Sequence, residues 1–217
     1  MENNIVISFI IPAHNSEKFL KRCVESVVKE EKQPKDNNLA EVIIIENGSS
    51  DHTKQIGTAL AEKYENVFLI CSEKGVSNAR NAGVKAAHGE WIFFLDADDY
   101  LPAGTLQKLL DTVNSGKAAD LYIFSYEKGN AIVNVATGEN ADGYEGTGVR
   151  ECLAGMLRNP TRCMAVWGKL FRHSIIQQSS LDFNKKLSLA EDSDFLIRYI
   201  IKCGRIIFSQ ESCYHYS

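Results

Sequence analysis

The chain has 217 residues, and its 24 Lys plus Arg against 28 Asp plus Glu give a formal charge of −4 at pH 7. With 44% apolar and 24% charged residues, it is neither a disordered nor a collagen-like chain, and it is long enough to bury one substantial core. The mild acidity argues against a partner held by bulk positive charge, nucleic acid in particular.

Ile5 to Ile11 is an unbroken apolar run closed by Pro12. A run with no polar face suits a central strand covered by helices on both sides. It lacks a basic flank and a cleavage site, so it does not read as a signal peptide. It is also far short of the roughly 20 residues that cross a bilayer. Asn15 or Ser16 is expected to cap a helix with Glu17 in its first turn, its inner face at Phe19, Cys23, Val24, Val27 and Val28. That helix should end near Glu31, before a loop at Pro34 to Asn38. A second strand covers Glu41 to Ile45, followed by Glu46-Asn47-Gly48-Ser49-Ser50-Asp51 and a helix to about Tyr64 with Ile56, Ala59 and Leu60 inward. Val67 to Cys71 is a third strand. The helix after it carries the small residues Ala79, Ala82, Gly83 and Ala86, which allow close packing on the sheet. Trp91 to Leu95 is a fourth strand that ends in acid, Asp96-Ala97-Asp98-Asp99. Short strands alternating with helices of this length predict a doubly wound α/β layer.

A helix over Ala103 to Asn114 and a strand over Asp120 to Tyr126 extend the pattern. Five glycines between Gly129 and Gly148, Gly138 among them, then predict irregular chain or a weak hairpin at the sheet rim. Helices are expected at Glu151 to Arg158, stopped by Asn159-Pro160, and at Asp194 to Ile201. Ala165 to Phe171 is read as a short strand or buried turn, and Arg205 to Phe208 as a late strand. The six cysteines form no CxxC pair and read as buried free thiols of a reducing compartment.

Chemistry concentrates at the strand ends, where open α/β sheets bind ligands. Three carboxylates within four residues, Asp96 to Asp99, repel one another. A hard cation relieves that cost, Mg²⁺ or Mn²⁺ taking one or two carboxylates with phosphate oxygens and water. A solvated acidic turn capping the next helix is the plainer alternative. Arg80 could reach a diphosphate or make a surface ion pair. His14 stands at the end of the first strand as a neighbour rather than a catalyst. Glu191-Asp192-Ser193-Asp194 is explained equally by a helix start or by a general base. Trp167 could stack on a sugar or pack in the core, with Lys169 and Arg172 as nearby cations. There is no GxGxxG after the first strand, no P-loop, no HExxH and no G-x-S-x-G elbow.

In order, the segments Ile10-Ile11-Pro12-Ala13-His14-Asn15, Val42 to Thr53, Gly75 to Gly83, Gly89 to Asp99, Trp167 to Arg172 and Glu191 to Asp194 resemble glycosyltransferase family 2. That family comprises inverting, nucleotide-sugar-dependent enzymes of the GT-A fold. The resemblance implies a single domain over 1–217, with a mostly parallel Rossmann-like sheet, helices on both faces and a smaller acceptor-side region. Residues 1–115 would bind the nucleotide sugar, a UDP-sugar above others, and 116–217 the acceptor. Pro12, Ala13, Asn15, Glu46, Asn47, Arg80, Asp96, Ala97 and Asp98 would hold the donor. Asp98 with Asp96 would hold Mn²⁺ or Mg²⁺, Asp192 would be the base with Glu191 beside it, and Trp167 and Lys169 would meet the acceptor.

That acceptor would be a saccharide or lipid-linked saccharide, the setting cytoplasmic or peripheral at the inner membrane face. Relatives commonly carry two aspartates where this chain has Glu46-Asn47, and many continue past residue 217. Tyr214-His215-Tyr216 also lacks the arginine that relatives often place after their tyrosines. The competing reading is a catalytically impaired nucleotide-sugar-binding homologue or partner subunit. Haloacid-dehalogenase-type phosphotransfer and sugar nucleotidyl transfer fit less well, because the acidic motif follows the fourth strand and the first lacks a Gly-rich basic loop.

Overall fold

The computed structural model describes residues 5–29, 39–135 and 143–217. The loop expected at Pro34 to Asn38, the helix end expected near Glu31 and Gly138 lie outside the described residues. The centre of the sheet is made of the most apolar strands: β1 (Ile7–Ala13), β2 (Ala40–Glu46) and β4 (Trp91–Phe94), buried at nearly every position. Together with β3 (Val67–Cys71) at the edge they form a parallel set in the order β3-β2-β1-β4. Burial on both faces explains why β1, β2 and β4 show no alternation.

Beyond β4 the sheet becomes mixed. β5 (Leu121–Lys128) turns back at Gly129, with a φ of 58°, into β6 (Ala131–Val133). β8 (Lys169–Arg172) runs antiparallel between β4 and β5. The last strand, β9 (Arg205–Tyr216), is parallel to β5, and β7 (Tyr144–Glu145) pairs with its outer side. The expected late strand at Arg205 to Phe208 is therefore only the first part of a twelve-residue strand. Register irregularities at Phe124, Ser125 and Glu127 interrupt its pairing, which hid the continuation from an alternation count.

Helices α1 (Leu20–Val28), α2 (Thr53–Lys63), α3 (Val76–Ala86) and α4 (Thr105–Asn114) connect the first strands. Asn15 and Ser16 do not cap α1. The chain makes a turn there, in which the Ser16 carbonyl accepts from Leu20 N–H, and Phe19 precedes the helix without a side-chain cap. In α2 the inner face is Thr53, Gly57 and Leu60, and Ala59 points outward. A side chain at Gly57 would stand 2.9 Å from Leu69 Cδ1, so the helix rests on β3 through its glycine. The close approach expected of α3 is found at Gly83, where a Cβ would lie 2.4 Å from Ile10 Cγ2.

The later helices are α5 (Gly148–Arg158), α6 (Pro160–Cys163), α7 (His173–Gln178) and α8 (Glu191–Ile200). Asn159-Pro160 ends α5 as expected but at once starts α6, proline being well suited to a first helical turn. α8 begins at Glu191 rather than Asp194, so its acids form the first turn. An aromatic cluster sets its place. Phe94 meets Phe171, Phe183 and Phe195 edge-on at 5.3–6.1 Å, and Phe183 stacks on Phe195 at 4.1 Å. Tyr199 Oη donates to the Asp120 carbonyl at 2.7 Å. This packing brings the start of α8 to the end of β4. All six cysteines are free; five are buried, and Cys71 is exposed on the edge strand, contrary to the expectation of buried thiols throughout.

Candidate active site

Because β1, β2 and β4 are parallel and adjacent, their carboxyl ends share one rim. The segments that leave them enclose an open cleft of about 360 Å³, lined by Pro12, Ala13, His14, Asn15, Ser16, Phe19, Asn47, Val76, Arg80, Asp96, Ala97 and Asp98. Every residue expected to hold the donor lines it except Glu46. The buried Glu46 side chain folds back to accept from Ser49 N–H and shapes its own turn. Ser16, Phe19 and Val76 also line the cleft, although the sequence did not mark them as ligand-binding. Phe19 had been assigned to the inner helix face, yet it is 42% exposed.

The floor is laced by side chains from the β1 and β2 ends. Asn15, at a φ of 50°, accepts from Ser50 N–H at 2.8 Å. His14 Nδ1 lies 3.0 Å from the Asn47 carbonyl. Asn47 itself is buried. Its amide nitrogen reaches Ser72 Oγ and the carbonyls of Glu73 and Gly75, while its oxygen accepts from Gly75 N–H at 2.9 Å. An aspartate could accept but not donate there. The departure from the family's paired acids therefore has a local reason: Asn47 fastens β2 to the turn that starts α3.

A charge cluster assembled from distant sequence borders the cleft: Arg80 and Asp96 line it, whereas Glu191 and Asp192 are not among its lining residues. Arg80, 4% exposed, rests on the Phe183 ring at 5.4 Å. Its Nη1 donates to Asp192 Oδ1 at 2.5 Å and to Glu191 Oε1 at 3.1 Å, and its Nη2 to Asp96 Oδ1 at 3.3 Å. One guanidinium thus ties the end of β4 to the start of α8. Asp192 Oδ2 accepts a further bond from Val166 N–H at 3.3 Å. Burial pushes Asp192 up to about 6, with Arg80 pulling the other way. Burial also raises Asp96, although its side chain keeps 31% of its surface open, which limits that effect.

The fit of a cation can be judged from the donor set. Among the described residues no three His, Cys, Asp or Glu side chains converge as a closed cage. The Asp98 carboxylate is exposed, faces the cleft and takes no hydrogen bond among the described residues. Asp96 offers its second oxygen beside it. Two open carboxylates suit Mg²⁺ or Mn²⁺, which complete their shells with phosphate and water. Asp99 is not part of this set: it is buried, and its oxygens are taken by Tyr214 and the Ser217 amide.

On the other side of Asp192, Lys169 is buried. Its ammonium donates to the Ala165 carbonyl at 2.7 Å, and burial lowers it to about 8. It supports the segment that carries Val166 rather than reaching into open space. Trp167 is half-buried and stacks on Tyr214 at 4.6 Å.

A mostly parallel sheet flanked by helices, with an open cleft and paired acids at its strand ends, defines a Rossmann-like α/β protein of the GT-A type. Residues 8–177 match the family described as Glycosyl transferase family 2, and the chain belongs to it. Among curated proteins it is 28% identical, over 97% of its length, to a poly(ribitol-phosphate) beta-glucosyltransferase of Bacillus spizizenii. Among solved structures, TarS of S. aureus (residues 1–349) superposes with a TM-score of 0.80 at 22% identity, covering 98% of this chain and 60% of that one. The mannosyltransferase PcManGT of Pyrobaculum calidifontis, in complex with GDP-Man and Mn²⁺, gives 0.66 at 17% identity, covering 98% and 57%. The chain spans 32% of the Bacillus spizizenii protein and 60% of each of two Bacillus subtilis glycosyltransferase relatives, EpsH and EpsJ. No helix among the described residues is long and apolar enough to cross a membrane.

Proposed function

We propose that this chain is the catalytic domain of an inverting glycosyltransferase. It would move a sugar from a nucleoside-diphosphate sugar, a UDP-sugar above others, to a hydroxyl of a saccharide or lipid-linked saccharide. The observation that carries this reading is the Arg80 bridge, which joins Asp96 on the cleft wall to Asp192 and Glu191 beside it. Two carboxylate groups with different surroundings then face the same ligand. TarS has been solved with UDP-GlcNAc, which favours a uridine donor. On this reading 1–115 is the donor half and 116–217 the acceptor half.

Asp192 acts as the base. Each of its oxygens already accepts one bond, from Arg80 and from Val166, and retains a lone pair for an acceptor hydroxyl. With its acidity near 6, it is ionised at neutral pH yet still able to hold a proton. The hydroxyl loses that proton to Asp192 and attacks the anomeric carbon from the face opposite the nucleotide. The bond to the β-phosphate breaks and configuration inverts. A divalent cation held by Asp98 and Asp96 would supply neutralisation of the departing diphosphate. Glu191 and Arg80 keep Asp192 in place, Lys169 supports the Val166 segment from beneath, and Trp167 offers a ring to the acceptor.

Calorimetry with UDP and Mn²⁺, alongside turnover of a UDP-sugar, tests the division of labour. Asp98→Asn should lose cation-dependent binding, whereas Asp192→Asn should keep it and lose turnover. Unchanged UDP affinity in Asp98→Asn refutes the assignment. Tight binding by the unaltered chain without transfer or hydrolysis would favour the non-catalytic homologue.

A further inference from the structure

The loop that carries Asp96 and Asp98 is held by the last residues of β9. Tyr214, fully buried, places its phenol oxygen between the two ends of the acidic turn. It accepts from Asp96 N–H at 3.3 Å and donates to Asp99 Oδ2 at 2.5 Å. The other Asp99 oxygen accepts from Ser217 N–H at 2.8 Å. Arg22 holds the middle of the turn, donating to the Asp98 carbonyl at 2.6 Å and to Ser217 Oγ at 3.0 Å. One residue further on, Tyr100 and His215 exchange backbone hydrogen bonds, and their rings stack at 4.3 Å. Every residue from Asp96 to Tyr100 except Ala97 is thereby fastened by backbone or side chain to β9, Ser217 or Arg22.

Three neighbouring carboxylates would otherwise push the turn apart. The clasp resolves this by burying one acid as an acceptor and leaving the Asp98 carboxylate unengaged. We propose that Tyr214, acting through Asp99 and the Asp96 amide, is a positioning residue that sets the Asp96 and Asp98 carboxylates for a divalent cation. This rests on the donor-site reading above. Because the Tyr214 ring also stacks on Trp167, the same side chain links the cation loop to the acceptor side.

Tyr214→Phe keeps the ring contacts with Trp167 and Phe93 and removes only the hydroxyl. Mn²⁺ binding is read by the paramagnetic resonance signal of the free ion, with Mn²⁺ alone and with UDP, and UDP binding in chelator is measured in parallel. Tyr214→Phe should weaken Mn²⁺ uptake with UDP by about ten-fold, the size typical of losing a residue that orients metal ligands. It should leave cation-free UDP binding unchanged. Asp99→Asn should behave alike and serves if Tyr214→Phe folds poorly. A purely structural role would lower the melting temperature while leaving Mn²⁺ affinity at the unaltered value, and that result overturns the proposal. If the unaltered chain takes up no Mn²⁺ with UDP, or Asp98→Asn takes it up equally, the donor-site reading fails and the clasp's role fails with it.

Discussion

Replacing Arg80 with methionine isolates the charge at the centre of the cluster. The change keeps the length and most of the apolar stem over Phe183 but leaves Asp96, Glu191 and Asp192 without their cation. Each ion pair at about 4 Å attracts by about 4 kcal/mol at an effective dielectric of 20. Burial of the guanidinium offsets much of that gain, so the usual net cost of removing one partner, about 3–5 kcal/mol, is the expected loss at pH 7.5. The pH dependence makes the argument specific. Burial already raises Asp192 to about 6 in the folded chain. Its ionisation therefore costs stability as pH climbs from the unfolded value near 3.9 through the folded one. Without Arg80 the folded value moves higher still, so in the variant the loss continues past pH 6. At pH 5 Asp192 is protonated and the repulsion is relieved. Urea denaturation of both proteins at pH 7.5 and pH 5.0 should show the penalty falling by at least half at the lower pH. A penalty below about 1 kcal/mol at pH 7.5, where surface pairs lie, or one that is equal at both values, would refute the reasoning.

Two further substitutions probe the scaffold. Gly83→Ala would ordinarily favour a helix by about 1 kcal/mol. Here the added carbon lies 2.4 Å from Ile10 Cγ2 and 2.9 Å from Ile45 Cδ1. The urea midpoint should therefore fall, by about 1–3 kcal/mol of stability; a rise would mean that α3 can lift off β1 freely. Glu25 joins α1 to α2, accepting from Lys29 at 2.7 Å, from Tyr64 Oη at 3.0 Å and from Lys63 at 3.3 Å. The Lys29 bond leads in lowering it to about 2. Its contribution is present above pH 4.5 and is lost as pH falls towards 2. With both lysines half-exposed, Glu25→Gln should cost about 1 kcal/mol at pH 7. The difference from the unaltered chain should vanish in acid melts near pH 2, and a difference that persists there would show that the charge is not its source.

The parallel half of the sheet was readable because its information is local. β1, β2 and β4 are apolar at almost every position, and each stops at a polar or acidic turn. Residues within a few positions of a strand end must lie at the rim once the sheet is parallel, but the donor set from Pro12 to Asp98 was named by the family resemblance rather than by strand order. The second half resisted for two reasons. β9 pairs with β5 through shifts in register that break any simple alternation, and its Glu211 lies on the surface. α6 and α7 have only four and six residues, too few for helical periodicity to emerge.

The site itself was half legible for a different reason. Motifs named the acids, but what each acid does depends on partners far away in the chain. Asp192 meets Arg80 across 112 positions, and Asp99 meets Tyr214 across 115. Nothing in the order Asp96-Ala97-Asp98-Asp99 distinguishes the exposed carboxylate from the buried one. The distinction comes from β9 and the residue after it: Tyr214 supplies a hydroxyl and Ser217 an amide to Asp99, and neither bonds the Asp98 side chain. Arg80 likewise read as a residue that could reach the ligand, because a helix position one turn past Gly75 faces the rim. What the sequence did not show is the aromatic cluster beneath it, which holds α8 close enough that three carboxylates share the guanidinium. A cleft of this kind is specified by which strand ends are neighbours, and its acid chemistry by which distant side chains close over them.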